Sequence, residues 1–310
     1  MKVLLTGYSG LLGRHIARAL KQDGHHVRVV LHKRTVTRQL FKEEADELLW
    51  GSLEDPKTLH EAVKGVDIVV HSAWKFSTQT ASRPTMNEVV TENLLKASIA
   101  AGVKKFAFVS SVAVYGMAAT NGTTVTEQQP LDNAGHFIYP LEKVNMESLL
   151  SDTNTQSMSI GIFRPGPIFD DHKSPIKKII AGRAIGFGTG RNTMPYIHAS
   201  DVADGIARWI RLGKSGGVYN LTPNKELQHR EWYVAWARQK GFRVTPFFIR
   251  ATVLRWAAAG ATLLKRMLGK PGRVDVDYAI AAATRSMKYS NGHAVTELQW
   301  KPTKTDRYHG

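Results

Sequence analysis

Residues 6–13 read Thr6-Gly7-Tyr8-Ser9-Gly10-Leu11-Leu12-Gly13, placed between a short apolar run, Lys2–Thr6, and a stretch, Arg14–Leu20, whose apolar residues recur at helical spacing. Glycines at every third position where a strand turns into a helix leave a chain few choices. Gly7 permits the tight turn, Gly10 lets the backbone approach a pyrophosphate, and Gly13 lets the helix pack closely on the sheet. A pyrophosphate would then lie at the positive N-terminal end of the helix. The triplet alone is a weak signal, and the strand-turn-helix context is what gives it weight.

The same alternation continues down the chain. Val27–Leu31, Leu48–Trp50, Asp67–His71, Phe106–Ser110 and Ser159–Phe163 are predicted strands, separated by helical patterns near Leu59–Val63, Val89–Ala100 and Leu141–Leu150. Strands alternating with helices argue for a parallel, doubly wound sheet. Beyond Pro165 the pattern loosens: residues 170–195 are rich in Lys, Arg, Gly and Pro, and order returns at Ile197–Trp209 and Gly217–Leu221. From Pro223 onward the chain reads as a helical region with many aromatics. The expected fold is therefore α/β, a Rossmann-type doubly wound parallel sheet with a smaller, discontinuous C-terminal substrate-capping domain. Residues 1–168 and 196–221 are assigned to the first part, and 169–195 and 222–310 to the cap.

Composition narrows the class. The 310 residues are 43% hydrophobic, enough for a sizeable core, with no uncharged apolar run long enough to span a bilayer. The first strand begins almost at once, which leaves no room for a signal peptide. Without cysteine there is no disulfide, thiolate nucleophile or cysteine-ligated metal, in keeping with a cytoplasmic protein; no metal is expected. The net charge of +16 favours an anionic partner or simply solubility. No nucleic-acid module accompanies the charge, so nucleic acid is not expected as a partner.

Tyr139-Pro140-Leu141-Glu142-Lys143 is the second informative motif. Proline suits the first turn of a helix, on which Tyr139 and Lys143 share a face. An ammonium near a phenol favours the phenolate, and a tyrosine so tuned exchanges a proton with a carbonyl or alcohol near neutral pH. Phe108-Val109-Ser110-Ser111 ends a predicted strand, where ligands of open α/β sheets gather and where a serine hydroxyl can hold a substrate oxygen or merely satisfy backbone groups.

Together these features resemble the extended short-chain dehydrogenase/reductase superfamily, the NAD-dependent epimerase/dehydratase family. The likeness runs through His71-Ser72-Ala73, Asn87 to Asn93, Arg164-Pro165-Gly166, Ile197-His198-Ala199-Ser200-Asp201 and the closing Leu298-Gln299-Trp300-Lys301-Pro302. It implies that Ser111 is the catalytic serine, Tyr139 the general acid/base and Lys143 its partner. The cofactor contacts it implies are Gly7, Ser9, Gly10, Leu11, Leu12 and Gly13 in the loop, and His32, Lys33 and Arg34 after the second strand. Ser52, Leu53, Ser72, Ala73, Trp74, Lys75, Tyr139, Lys143, Pro165 and Gly166 complete the set. His198 and Asp201 match a family signature and are assigned a structural role.

Departures from the family pattern narrow the function. Ser52 stands where an aspartate near the adenine is usual, and Pro167 where nucleotide-sugar members carry an asparagine. Gly188-Thr189-Gly190-Arg191-Asn192 followed by Pro195-Tyr196-Ile197-His198 resembles the branch of dihydroflavonol reductases and 3β-hydroxysteroid dehydrogenases. The resemblance thus implies an oxidoreductase interconverting a carbonyl and an alcohol on a small, fairly apolar substrate. A nucleotide-sugar epimerase or dehydratase and a cofactor-binding regulatory or scaffold protein are the alternatives. NADP(H) is expected rather than NAD(H), because the acid that binds ribose hydroxyls is missing and Lys33-Arg34 can pair with a 2′-phosphate. Trp232, Trp236, Phe242, Phe247 and Phe248 are candidates for an apolar pocket or for core. The basic, apolar stretch Phe247–Lys270 is read first as a substrate-capping helix pair and second as a contact for an anionic membrane. A homodimer is compatible with the resemblance.

Overall fold

The computed structural model describes residues 1–32, 43–75, 84–116, 123–131, 137–155, 157–172, 176, 178–212, 215–269, 280, 284, 286 and 288–308. The longer strands are β1 (Lys2–Thr6), β2 (His26–Leu31), β3 (Glu47–Trp50), β4 (Ile68–His71), β5 (Lys105–Val109), β6 (Ser159–Pro165), β7 (Lys178–Ile180), β8 (Arg183–Phe187), β9 (Gly217–Leu221) and β10 (Thr245–Ile249). The helices are α1 (Leu11–Gln22), α2 (Pro56–Val63), α3 (Met86–Ala100), α4 (Ile138–Asp152), α5 (Ala199–Arg211), α6 (His229–Gln239), α7 (Ala251–Met267), α8 (Gly292–Leu298) and α9 (Thr303–Asp306).

Seven strands form one parallel sheet in the order β9-β6-β5-β4-β1-β2-β3. Parallel strands need crossovers, and helices on both faces bury them, so each strand is apolar on both sides. Leu4, Val69, Phe106, Phe108 and Ile162 face α2, α3 and α4, where Leu59, Leu94 and Met146 receive them. Val3, Leu5, Val29, Val70 and Phe163 face α1 and α5, against Ile16, Ile206 and Trp209. Helix starts are set by local chemistry. The Asp55 carboxylate accepts the Lys57 N–H just before Pro56, and Thr85 with Glu88 forms a reciprocal capping box at α3.

The stretch that looked loose, 170–195, contains β7 and β8, and the aromatic region expected to be helical contains β10. β8 pairs with β10 in parallel and with β7 antiparallel. Local periodicity missed this small sheet because its pairing joins segments some sixty residues apart. Glycines there make room for an aromatic ring: a Cβ at Gly186 or Gly190 would lie 2.5 or 2.4 Å from Phe248. Trp232 and Trp236 are buried beside Phe169 and Tyr308, and Phe248 stacks on Tyr233, whereas Phe242 and Phe247 face outward. Trp232 and Trp236 are therefore core, not pocket lining.

After the cap the chain returns to the main sheet. Trp300 is fully buried and its Nε1 donates to the Asp201 carbonyl at 2.8 Å. The Asp201 carboxylate accepts the N–H groups of Thr305 at 2.7 Å and Lys304 at 3.0 Å. Asp201 thus fastens α9 to α5. Asp201→Ala would strand these donors in a buried site and is expected to cost about 3 kcal/mol, read as a lower urea midpoint; an unchanged midpoint would refute this anchoring role.

Candidate active site

The glycine turn forms a close-fitting cradle. Gly7 has φ +79°, and a Cβ there would meet the Ala73 N at 2.6 Å; a Cβ on Gly13 would lie 2.1 Å from the Gly7 carbonyl oxygen. The Gly10 N–H donates to that oxygen at 3.0 Å. Ser9 and Gly10 are exposed, and no side chain caps α1, whose first turn runs through Leu11, Leu12 and Gly13. An open, uncapped helix start beneath a glycine turn fits a pyrophosphate. Beside it, buried Glu44 accepts hydrogen bonds from the Tyr8 hydroxyl at 2.7 Å and from Arg14 and Arg18. Burial alone would raise the Glu44 carboxyl, but these bonds, Arg14 foremost, hold it at about 2.

At the sheet's edge beyond this turn, β2 ends in exposed His32, while Lys33 and Arg34 lie outside the described residues. Ser52 and Leu53 follow β3; the Ser52 hydroxyl accepts the Glu54 N–H, and Leu53 packs on the core. Ser72 and Ala73 follow β4, where the Ala73 N–H donates to the Thr6 hydroxyl at 3.3 Å. Pro165 ends β6 and Gly166 follows it, leaving no room for a side chain, since a Cβ would sit 1.9 Å from the Pro195 oxygen. The candidate cofactor residues thus gather at the carboxyl ends of the parallel strands.

Ser111 lies two residues beyond β5, after Ser110, and its hydroxyl accepts the Ala113 N–H at 3.1 Å. Tyr139 is in the first turn of α4 and is hydrogen-bonded to Ser111. Lys143, one turn further on, is fully enclosed. Its Nζ donates to the Val109 carbonyl at 2.7 Å and lies 3.3 Å from the centre of the Trp74 ring and 4.7 Å from that of Phe108. Burial pushes the Lys143 ammonium well below its ordinary range, against the pull of Glu147 and Glu142. The expected lowering of Tyr139 is not found in the cofactor-free chain. Burial raises the phenol, Ser111 opposes this, and Glu142 raises it further. The lysine that was to stabilise a phenolate is engaged by Val109 and Trp74.

Three arrangements in the site could not be read from the sequence, although Trp74, Asn87 and Arg164 stand within its motifs. Trp74 supplies the π-face under Lys143, and its Nε1 is buried without a hydrogen-bond partner among the described residues. Asn87 clamps the backbone of Lys75, accepting its N–H at 3.0 Å and donating to its carbonyl at 2.9 Å, while also donating to Glu142. Beneath the serines, Ser110 donates to Glu147, which is bridged by Arg164; Arg164 donates to the Tyr115 hydroxyl at 2.6 Å, which donates to Asn220 at 2.7 Å. The serine and arginine were visible as motif members, but their joining through Glu147 depends on packing α4 over β5 and β6. His198 accepts the Ser200 N–H at 3.2 Å at the start of α5, and burial lowers its pKa to about 4. Two open clefts of about 530 and 460 Å3 lie on the cap side, and neither is lined by Ser111, Tyr139 or Lys143.

Known proteins resemble this chain in sequence and in fold. The family described as "NAD dependent epimerase/dehydratase family" matches residues 3–222. A sterol-4-alpha-carboxylate 3-dehydrogenase, decarboxylating, of Dictyostelium discoideum is 28% identical over 77% of this chain and 76% of its own length. A 4-hydroxy-2-methyl-3-oxo-4-farnesyl-3,4-dihydroquinoline-1-oxide ketoreductase of Stigmatella aurantiaca is 28% identical over 96% of this chain and 88% of its own. Among solved structures, a UDP-glucose-4-epimerase from Stenotrophomonas maltophila, with bound NAD and formylated UDP-arabinopyranose, superposes with a TM-score of 0.75. It covers 97% of this chain and 93% of its own at 20% identity, a likeness of fold.

His71 gives the site a pH signature. Its Nδ1 is 2.7 Å from the Thr6 hydroxyl and its Nε2 is 3.0 Å from that of Thr91. Burial, helped by Lys143, lowers its pKa to about 3. The unfolded chain binds this proton near pH 6.5 and the folded chain does not, so the stabilisation is complete above about 6.5 and is lost as pH falls toward 3. Urea melts at pH 7, 6 and 5 should show a loss of up to ~1.4 kcal/mol per pH unit from this histidine. His71→Gln should flatten that slope while lowering overall stability; an unaltered slope would contradict the assignment.

Proposed function

The chain belongs to the NAD dependent epimerase/dehydratase family, NAD(P)-dependent enzymes of the extended short-chain dehydrogenase/reductase type, and on that premise we propose that it interconverts a carbonyl and an alcohol on a fairly apolar small molecule, using NADP(H). The observation that carries the reading is the hydrogen-bonded Ser111–Tyr139 pair with Lys143 one helical turn away. The cofactor would lie on the glycine turn, along Ala73, Trp74 and Lys75, and beside Pro165 and Gly166, with Lys143 holding the nicotinamide ribose. When bound, it supplies or accepts the hydride.

The chain's own residues handle the proton and the oxygen. Ser111 holds the substrate oxygen by donating a hydrogen bond to it. Tyr139, kept protonated by burial, delivers its proton to that oxygen as the alcohol forms, and in the reverse direction takes it back. Residues 169–195 and 222–310 would enclose the substrate. The sterol and farnesyl-bearing quinoline named for the two relatives above support an apolar substrate. Pro167, in place of a pyrophosphate-binding asparagine, speaks against a nucleotide sugar.

Supplied with NADPH and a panel of apolar ketones, the protein should consume cofactor in proportion to alcohol formed. Tyr139→Phe should slow this by about 100-fold or more, the usual scale for loss of an acid/base group. Isomerisation of a nucleotide sugar without net cofactor turnover would overturn the reading, as would full activity in a folded Tyr139→Phe protein.

Cofactor choice rests on Lys33 and Arg34. A forked guanidinium and an ammonium after the second strand suit a 2′-phosphate, where NAD-binding folds place an acid. Replacing both by alanine should raise the Michaelis constant for NADPH by about tenfold or more, with little change for NADH, given charge-assisted bonds of about 1.5–3 kcal/mol. Equal affinity for the two cofactors, unaffected by the double replacement, would refute NADP(H) preference.

A further inference from the structure

Lys143 is a buried cation with no carboxylate touching its ammonium among the described residues. An ammonium carries three N–H donors, and burial leaves the protein to satisfy them. One reaches the Val109 carbonyl at 2.7 Å. The acids nearest along α4 are engaged elsewhere: Glu142 accepts Asn87 at 3.1 Å on both oxygens, and Glu147 is taken by Ser110 and Arg164. What meets the ammonium instead is Trp74, its ring centre 3.3 Å away, with that of Phe108 at 4.7 Å. Tryptophan offers a cation the strongest π-face, and the attraction grows where water is excluded. The indole is itself held firmly. Phe108 meets its ring edge-on. On one side the Ala73 N–H donates to the Thr6 hydroxyl at 3.3 Å; on the other, Asn87 grips both backbone groups of Lys75, at 3.0 and 2.9 Å. Through its bond to Glu142, the residue before Lys143, the same Asn87 ties this loop to α4. The indole Nε1 is buried without a hydrogen-bond partner among the described residues. A phenylalanine would avoid that unpaired donor, so packing alone does not account for an indole here.

We propose that Trp74 is the positioning residue of Lys143: its indole face stands in for a counter-ion and holds the ammonium, in its charged form, at the end of β5. Its consequence for cofactor binding rests on the reading above, in which Lys143 holds the nicotinamide ribose. Burial favours the neutral amine, which would lose both a donor and the charge that strengthens its hydrogen bonds. Few charged groups face Lys143 to oppose this. Glu147 and Glu142 on α4 favour the ammonium through space, and the charge of Glu147 is offset by Arg164 from β6. His71 on β4 is neutral near pH 7, since burial and Lys143 itself hold it at about 3. Tyr139, one turn earlier on α4, is raised by burial and brings no charge either. Direct support for the ammonium therefore comes from the Val109 carbonyl and the aromatic faces, Trp74 foremost.

Lysine labelled with 13C at Cε reports the charge of each ammonium by NMR, and Lys143→Met identifies the Lys143 signal by its loss. Trp74→Leu should lower the pH at which Lys143 gives up its proton by about 1.5, the scale of a desolvated cation–π contact. Trp74→Phe keeps a weaker face and should lower it by about half as much. In each protein, NADPH affinity should fall over the pH range in which Lys143 loses its proton. Fluorinated tryptophan, incorporated throughout the chain, keeps the shape of the ring and weakens its face, so it should lower the same transition without altering the packing. Should Trp74→Leu fail to fold by far-UV circular dichroism, the fluorinated protein decides alone. A Lys143 transition that stays or rises in Trp74→Leu, or one that moves there but not with fluorinated tryptophan, would overturn the proposal. Failure of the wild-type protein to bind NADPH or NADH would instead overturn the cofactor reading, while the lysine titration judges Trp74 in either case.

Discussion

The backbone contact that the rest of this structure depends on is the approach of α1 to the turn that precedes it. Gly13 lies so near the Gly7 carbonyl that a single added carbon would sit 2.1 Å from it, and Gly7 in turn abuts the backbone after β4. These contacts set how closely α1 lies over β1 and where the end of β4 falls beside it. The position of Ala73, Trp74 and Lys75 follows, and with it the wall that Lys143 leans against. The geometry of the candidate site begins as a steric requirement for the absence of side chains.

The second constraint is electrostatic. The elements that present Ser111, Tyr139 and Lys143 also bury Glu142, Lys143, Glu147 and Arg164, an array of charges that is stable only when each member is bonded. Glu147 joins Ser110 to Arg164, and Arg164 joins Tyr115 and so Asn220 on β9. The floor of the site is thus tied to β5, β6, β9 and α4 at once, which is how a serine at a strand end and a tyrosine on a distant helix are held at hydrogen-bonding distance. Lys143 is the exception in charge terms. Among the described residues no carboxylate touches its ammonium directly; a carbonyl and an indole face hold it and compensate for lost water.

The cap follows different rules. Its small sheet depends on Phe248 filling the space left by Gly186 and Gly190, and its core on Trp232, Trp236, Phe169 and Tyr308. The return of the chain through Trp300 and Thr305 to Asp201 closes the structure on α5, so one buried carboxylate joins the end of the chain to the main sheet. α7 gains little from this core, which leaves its conformation to intrinsic helix propensity, strong in a segment rich in Ala and Leu.

The glycine turn, the run of buried parallel strands and the Tyr139–Lys143 spacing were legible because each is written in local order: a period, a turn residue, an offset of one helical turn. The end of a predicted strand offered Ser110 and Ser111 alike, and only the family resemblance, through the spacing to Val114-Tyr115-Gly116, singled out Ser111. Tertiary structure alone decided what depends on neighbours distant in sequence. β10 became a strand by pairing with β8, some sixty residues earlier in the chain, and Trp232 became core because Phe169 and Tyr308 meet it. Tyr139 is pushed up in pKa rather than down, because burial outweighs the Ser111 hydrogen bond while the Lys143 ammonium is directed to Val109 and Trp74. The sequence of α7 displays its apolar and basic residues equally well in either orientation. Which side faces water was settled by how little of the cap's surface it has to pack against.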